Sequence, residues 1–164
     1  MSILLPPLRR ELPFLVLDSG RNFVDFSFSS EFAVERDFGT EILSHADGAP
    51  DFSRINNSSC PWLFNHNRDQ YLGIIKRAWL DKKKGICRAE WSSASEVEGS
   101  WAWTVRQDIE KGILPNTSFL YQINKLQQGR SGQMVATSWT PYEISTVTIP
   151  ADPTVGMGRS ELFK

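Results

Sequence analysis

The chain has 164 residues, 40% hydrophobic and 23% charged, with a formal net charge of −1 and a pI of about 6.1. That is the size and balance of one globular domain able to bury a sizeable core. It excludes the basic footprint of a nucleic-acid or anionic-membrane binder, and no run approaches the roughly 18 apolar residues of a membrane span.

The opening "MSILLPPLRRELPFLVLDSG" holds two short apolar runs, interrupted by prolines and an Arg pair and lacking a basic leader. It predicts no signal peptide, so the protein stays in the cytosol and the sequon at Asn116–Ser118 carries no glycan. Residues 1–20 read as a mobile N-terminal segment, with "DSG" at Asp18–Gly20 as a turn. From Phe23, Val24, Phe26 and Phe28 alternate with Asp25, Ser27 and Ser29, the pattern of a half-buried strand. "FAVERDFGTEIL" reads as a second extended unit broken at Gly39, and Ser44–Cys60 as a polar loop that leaves His45 exposed. "YLGIIKRAWL" and "GICRAEWS" predict a hairpin whose "DKKK" turn is kept soluble by lysines.

One helix is predicted from Ser95 to Gly112. Ser95 and Glu98 form an S-x-x-E capping pair, and Val97, Trp101, Val105 and Ile109 recur every fourth residue along one face. Three further strands follow, in "ILPNTSFLYQINKL", "QMVATSWTP" and "YEISTVTIP", with "QQGRSG" as a turn and residues 152–164 as a mobile tail. The fold class is therefore α+β: a strand-rich, mostly antiparallel, closed or partly open β-barrel with flanking helices, forming a single domain over 1–164.

Cys60 and Cys87 make no CxxC pair and have no neighbouring His with which to build a zinc set. They read as reduced, unreactive thiols, and no metal or cofactor is expected. The G-x-S-x-G elbow, P-loop, HExxH and G-x-G-x-x-G motifs are all absent. A hydrolase without a metal needs a base that titrates near neutrality, and the chain offers two histidines, His45 and His66. His66, in "PWLFNHN", lies where a loop gives way to a strand, so it is the better placed of the two. Spacing alone nominates no nucleophile, because serines are plentiful.

The stretches "FSFSSEFAVERDFGTEIL", "LFNHNRDQYLGII", "GIL-x3-SFLYQI" and "YEISTVTIPADPTVGMGRS" together resemble, in order and spacing, the prohead serine proteases of tailed bacteriophages. Those enzymes are related in fold to the herpesvirus assembly proteases. The resemblance runs from about Phe23 to Ser160; each motif is short, and their succession is what is specific.

It implies that His66 is the general base, that Ser118 in Ser118–Tyr121 is the nucleophile, and that Glu143 in Glu143–Ser145 is the third member. Read as a residue, Glu143 equally suits a strand position facing solvent. Two departures stand out. Leu120 occupies a position where the family usually has Gly, and no His follows His66 to match the second His of the herpesvirus enzymes. Arg130 or backbone N–H groups are the available oxyanion donors.

By the same resemblance the substrates are scaffold, segments of the major capsid protein and the protease itself, inside the immature capsid in the host cytoplasm. Control by self-association, as a homodimer or higher assembly, is expected. Trp101 and Trp103 lie two apart on the helix, so with Trp101 on the apolar face Trp103 is the one expected to meet a partner. The alternative reading is a non-catalytic capsid assembly or scaffolding module on the same barrel.

Overall fold

The computed structural model describes residues 7–13, 16–19 and 22–149. In chain order its elements are β1 (Leu8–Pro13), β2 (Val16–Ser19), β3 (Phe23–Ser30), β4 (Val34–Arg36), β5 (Gly39–Leu43), α1 (Ser53–Asn56), β6 (Pro61–Phe64), β7 (Asn67–Asp81) and β8 (Lys84–Trp91). A 3₁₀ turn (Ser93–Glu96), α2 (Trp101–Glu110), β9 (Asn116–Gln128) and β10 (Met134–Val147) complete them.

Alternating side chains and short turns give one curled sheet in the order β1–β9–β10–β6–β7–β8–β3–β2, with the β4–β5 hairpin joined through β5 to β10. All pairings are antiparallel except β10 with β5 and β10 with β6. β1 also packs against β3, so the two ends of the path curl toward one another. The strand-rich α+β expectation holds. Inside the curl, Phe26, Phe28, Trp62, Phe119, Tyr121 and Trp139 are fully buried. Phe28 and Phe119 meet edge to face at 5.4 Å, an arrangement aromatic pairs favour.

Four local expectations change. β3 is buried on both faces, because Asp25 pairs with Arg88 at 2.7 Å and Ser29 bonds His45 across the wall. The helix starts at Trp101 rather than Ser95: Ser100 is its N-cap, accepting from Trp103 N, and a separate 3₁₀ turn capped by Ser92 precedes it. The buried face is accordingly Ala102, Val105 and Ile109, while Val97 and Trp101 are exposed.

The two strands expected, divided between Pro141 and Tyr142, are one continuous β10. Trp139 N donates to Ala49 O, away from β9, so the period of two aims the Pro141 nitrogen the same way and no bond to β9 is lost. Finally, within the segment read as mobile, β1 pairs with β9 and β2 with β3. Gly20 and residues 152–164 lie outside the described residues.

Candidate active site

His66 sits at the tip of the β6–β7 hairpin, whose flanking pair is Phe64 and Asn67. The two turn residues, Asn65 and His66, have φ of 53° and 58°, the left-handed pair of a type I′ turn. Asn adopts that conformation more readily than most residues, and holding the His66 backbone there costs about 1–2 kcal/mol. The turn is tied to β10 at several points. Asn65 N donates to Thr146 O at 2.9 Å, Thr148 N to Asn65 Oδ1 at 2.9 Å, and His66 N to Ser145 Oγ at 3.1 Å.

Ser118 and Glu143 come from neighbouring strands, and a β-bulge decides that they share a face. From Trp139 to Pro141, β10 faces β9 in step: Trp139 and Pro141 are buried beside Ile123 and Tyr121. Tyr142 is then an extra residue, and pairing resumes at Glu143–Leu120, Ile144–Phe119 and Ser145–Ser118. The insertion exchanges the two faces of the strand, so Ile144 turns inward while Glu143 and Ser145 turn outward beside Ser118. The site therefore lies on the outside of the curled sheet, against the aromatic core's far side.

There the three residues meet in one line. His66 Nε2 lies 2.9 Å from Ser118 Oγ, and His66 Nδ1 is hydrogen-bonded to Glu143 Oε1. Ser145 Oγ is 3.3 Å from the same carboxylate oxygen. Ser118 is only 1% exposed and Glu143 7%, so this contact is shielded from bulk water, which strengthens it. A hydroxyl on one ring nitrogen and a carboxylate on the other can relay a proton from oxygen to imidazole while the carboxylate stabilises the resulting cation.

Beside it opens a groove of about 890 Å³, lined by His66, Glu143, Leu120 and Tyr142, by Leu63 and Ile74, and by Arg9, Arg54 and Arg68. Leu120 is an ordinary strand residue of β9; the irregularity beside it falls on β10, at Tyr142. Arg54 stacks on the Tyr142 ring at 4.4 Å.

Other residues singled out in the sequence lie elsewhere. His45 is buried rather than exposed, its Nε2 2.8 Å from Ser29 Oγ. Arg130 lies in the turn between β9 and β10, and at roughly 3.3 Å per residue β9 carries it tens of ångströms from Ser118. It is no oxyanion donor for this serine. Cys60 and Cys87 are free and buried; burial, with some help from the Glu143 charge, pushes the Cys60 thiol up to about 12, and burial raises Cys87 well above its ordinary value. Neither is a thiolate near neutral pH. The sequence reading missed Ser145 as a partner of the site and missed β6, because Asn-His, unlike Asn-Gly or Asp-Gly, does not mark a two-residue hairpin.

No family model matches the chain. The chain is 38% identical over 141 residues to the major capsid protein of Halomonas phage phiHAP-1, a match that takes in 82% of this chain and 23% of that protein. The chain thus spans about a quarter of the length of the curated relative it matches. Its fold is similar to that of the bacteriophage T4 capsid assembly protease, gp21, with a TM-score of 0.58 and 12% identity, covering 88% of this chain and 98% of that one. The chain has the fold of a phage capsid assembly protease, and its sequence is similar to part of a phage major capsid protein.

Proposed function

We propose that the chain is a serine endopeptidase of phage capsid maturation. The observation that carries this is the line of contacts from Ser118 Oγ through both nitrogens of His66 to Glu143. Ser118 attacks the scissile carbonyl, His66 takes its proton and gives it to the leaving amine, and Glu143 keeps Nδ1 protonated and the ring oriented. Water then hydrolyses the acyl-enzyme by the same route in reverse. The groove beside His66 receives the peptide. Its apolar and aromatic lining takes side chains, and its open end suits an extended segment rather than a small molecule.

The substrates in this reading are segments of the major capsid protein and the scaffold, and the chain itself, within the immature capsid. With Ser118 1% exposed, a peptide reaches the hydroxyl only when the covering chain shifts. That is the physical form of the restraint needed by a protease enclosed with its substrates. Self-association supplies the trigger. The partly exposed Trp101, edge to face with Phe64 at 5.4 Å, is the aromatic available to a second copy, in place of the Trp103 side chain, which is more covered.

The test is labelling by a fluorophosphonate probe across a range of protein concentrations, with Ser118→Ala as the control. Labelling that vanishes in Ser118→Ala supports the peptidase. A chain that stays unlabelled at every concentration and inside assembled capsids is instead an assembly module, the reading favoured by a relative that is itself a major capsid protein.

A further inference from the structure

We propose that Ser145 is a positioning residue of this site, one hydroxyl that holds both the backbone of the base and the carboxylate that orients it. The inference rests on the peptidase reading above.

Ser145 is fully buried on β10, directly opposite Ser118 in the sheet register. A hydroxyl has one proton to donate and lone pairs to accept with. Here both capacities are taken up by the site: Oγ accepts from His66 N at 3.1 Å and donates toward Glu143, 3.3 Å from Oε1 and 3.4 Å from Oε2.

Each contact answers a separate need. His66 stands at φ 58°, a conformation that is costly for a non-glycine residue and is kept by contacts that hold the backbone. The hold is made on the His66 amide itself, so it fixes where the ring starts without using either ring nitrogen. Glu143, for its part, bonds the imidazole through Oε1. A second donor reaching both oxygens stops the carboxylate from rotating away. An alanine would fill the same space, whereas a buried hydroxyl is costly unless its bonds are made. The Tyr142 bulge is what turns Ser145 toward the site at all.

The test uses the full chain and the fluorophosphonate, measuring the second-order labelling rate of Ser118 from pH 5 to 9 for wild type, Ser145→Ala, Ser145→Cys and Ser145→Thr. Circular dichroism and thermal melting establish that each variant is folded. Ser145→Ala is expected to label about 10- to 100-fold more slowly, the scale of loss caused by a slight misplacement of reacting groups. Its acid limb should also move to higher pH, because a Glu143 deprived of one donor holds the imidazolium proton more tightly. Ser145→Thr, which retains the hydroxyl, should recover most of the rate.

Ser145→Cys keeps the side-chain shape, slightly enlarged, with a poor donor and carries the test if the alanine variant does not fold; it should be as slow as alanine. Rates and pH profiles that superimpose on wild type overturn the proposal. So does a slow Ser145→Ala with an unmoved pH profile, since that loss would belong to packing. An unlabelled wild-type chain refutes the peptidase reading itself, and this inference with it; a labelled wild type with indifferent Ser145 variants refutes this inference alone.

Discussion

Ser29 Oγ lies 2.8 Å from Nε2 of His45, and Ser118 Oγ lies 2.9 Å from Nε2 of His66. By that distance the two pairs are the same. They differ at the other ring nitrogen, where Nδ1 of His45 donates to the Leu43 carbonyl at 2.9 Å and Nδ1 of His66 meets the Glu143 carboxylate. A carbonyl fixes the tautomer but offers no charge to offset an imidazolium; a carboxylate offers both. They differ again in access. Ser29 is fully buried, and the His45 ring packs 5.3 Å from that of Trp139, whereas His66 lines an open groove. A serine–histidine contact is thus a structural bond or a candidate catalyst according to its third partner and its opening.

The sharpest way to break this contrast is to delete members of each pair. Ser118→Ala and His66→Ala should each lower cleavage of the cognate capsid protein, followed by intact mass, by roughly 10⁴-fold or more, with the double variant little worse than either. Ser29→Ala should leave the rate per folded molecule within about twofold. Equal damage from Ser29→Ala would make the two pairs alike. The next largest effect is expected from Glu143→Gln, which keeps the shape but not the charge: about 10²- to 10⁴-fold in kcat, with KM little changed, checked by steady-state kinetics.

Changes at His45 should appear in stability instead. His45→Ala should cost about 2–4 kcal/mol in urea unfolding, since it opens a cavity and strands the Ser29 hydroxyl, while the folded fraction keeps its activity. pH sharpens the same point. Burial pulls the His45 pKa below its ordinary 6.5, an effect that Glu31 opposes and Arg10 adds to. The unfolded chain therefore binds this proton first as the pH falls, and stability drops from about pH 6.5 downward, by at most about 1.4 kcal/mol per pH unit. Urea midpoints at pH 7.5 and pH 5 should show this drop for wild type, and His45→Asn should show a smaller one.

The smallest effect compares the two hairpin turns. Lys82 and Lys83, like Asn65 and His66, take positive φ, at 49° and 59°, but Lys83 is largely exposed, its ammonium 3.6 Å from Glu31. Lys83→Gly should relieve that strain and raise stability by up to about 1 kcal/mol, with activity unchanged, as read from thermal melts and the labelling rate. At His66 the strain is retained together with the side chain.

The alternation at Val24, Phe26 and Phe28, the lysine-tipped hairpin and the position of His66 were legible because each is a local pattern of period two or a turn signal. The faces of β3 were not, since whether Asp25 and Ser29 meet solvent depends on Arg88 and His45, remote in sequence. The same limit hid the helix start, where Ser100 competed with an equally good cap at Ser95. For the candidate site, the resemblance named Ser118, His66 and Glu143, and the geometry brings them together. What no local pattern could show is the extra residue at Tyr142, because a bulge exists only relative to the partner strand.

The bulge has one more consequence. By setting Glu143 and Ser145 on the outer face of the sheet, buried there yet turned away from the core, it separates the residues of the candidate site from the aromatic interior that stabilises the barrel. Mutations that exchange one large apolar side chain for another among Phe28, Phe119 and Trp139 then act on a different layer from the one that holds Ser118 Oγ and His66. Such a molecule can drift far in its interior while its site stays the same, and a shared fold at 12% identity is the sequence distance that this partition allows.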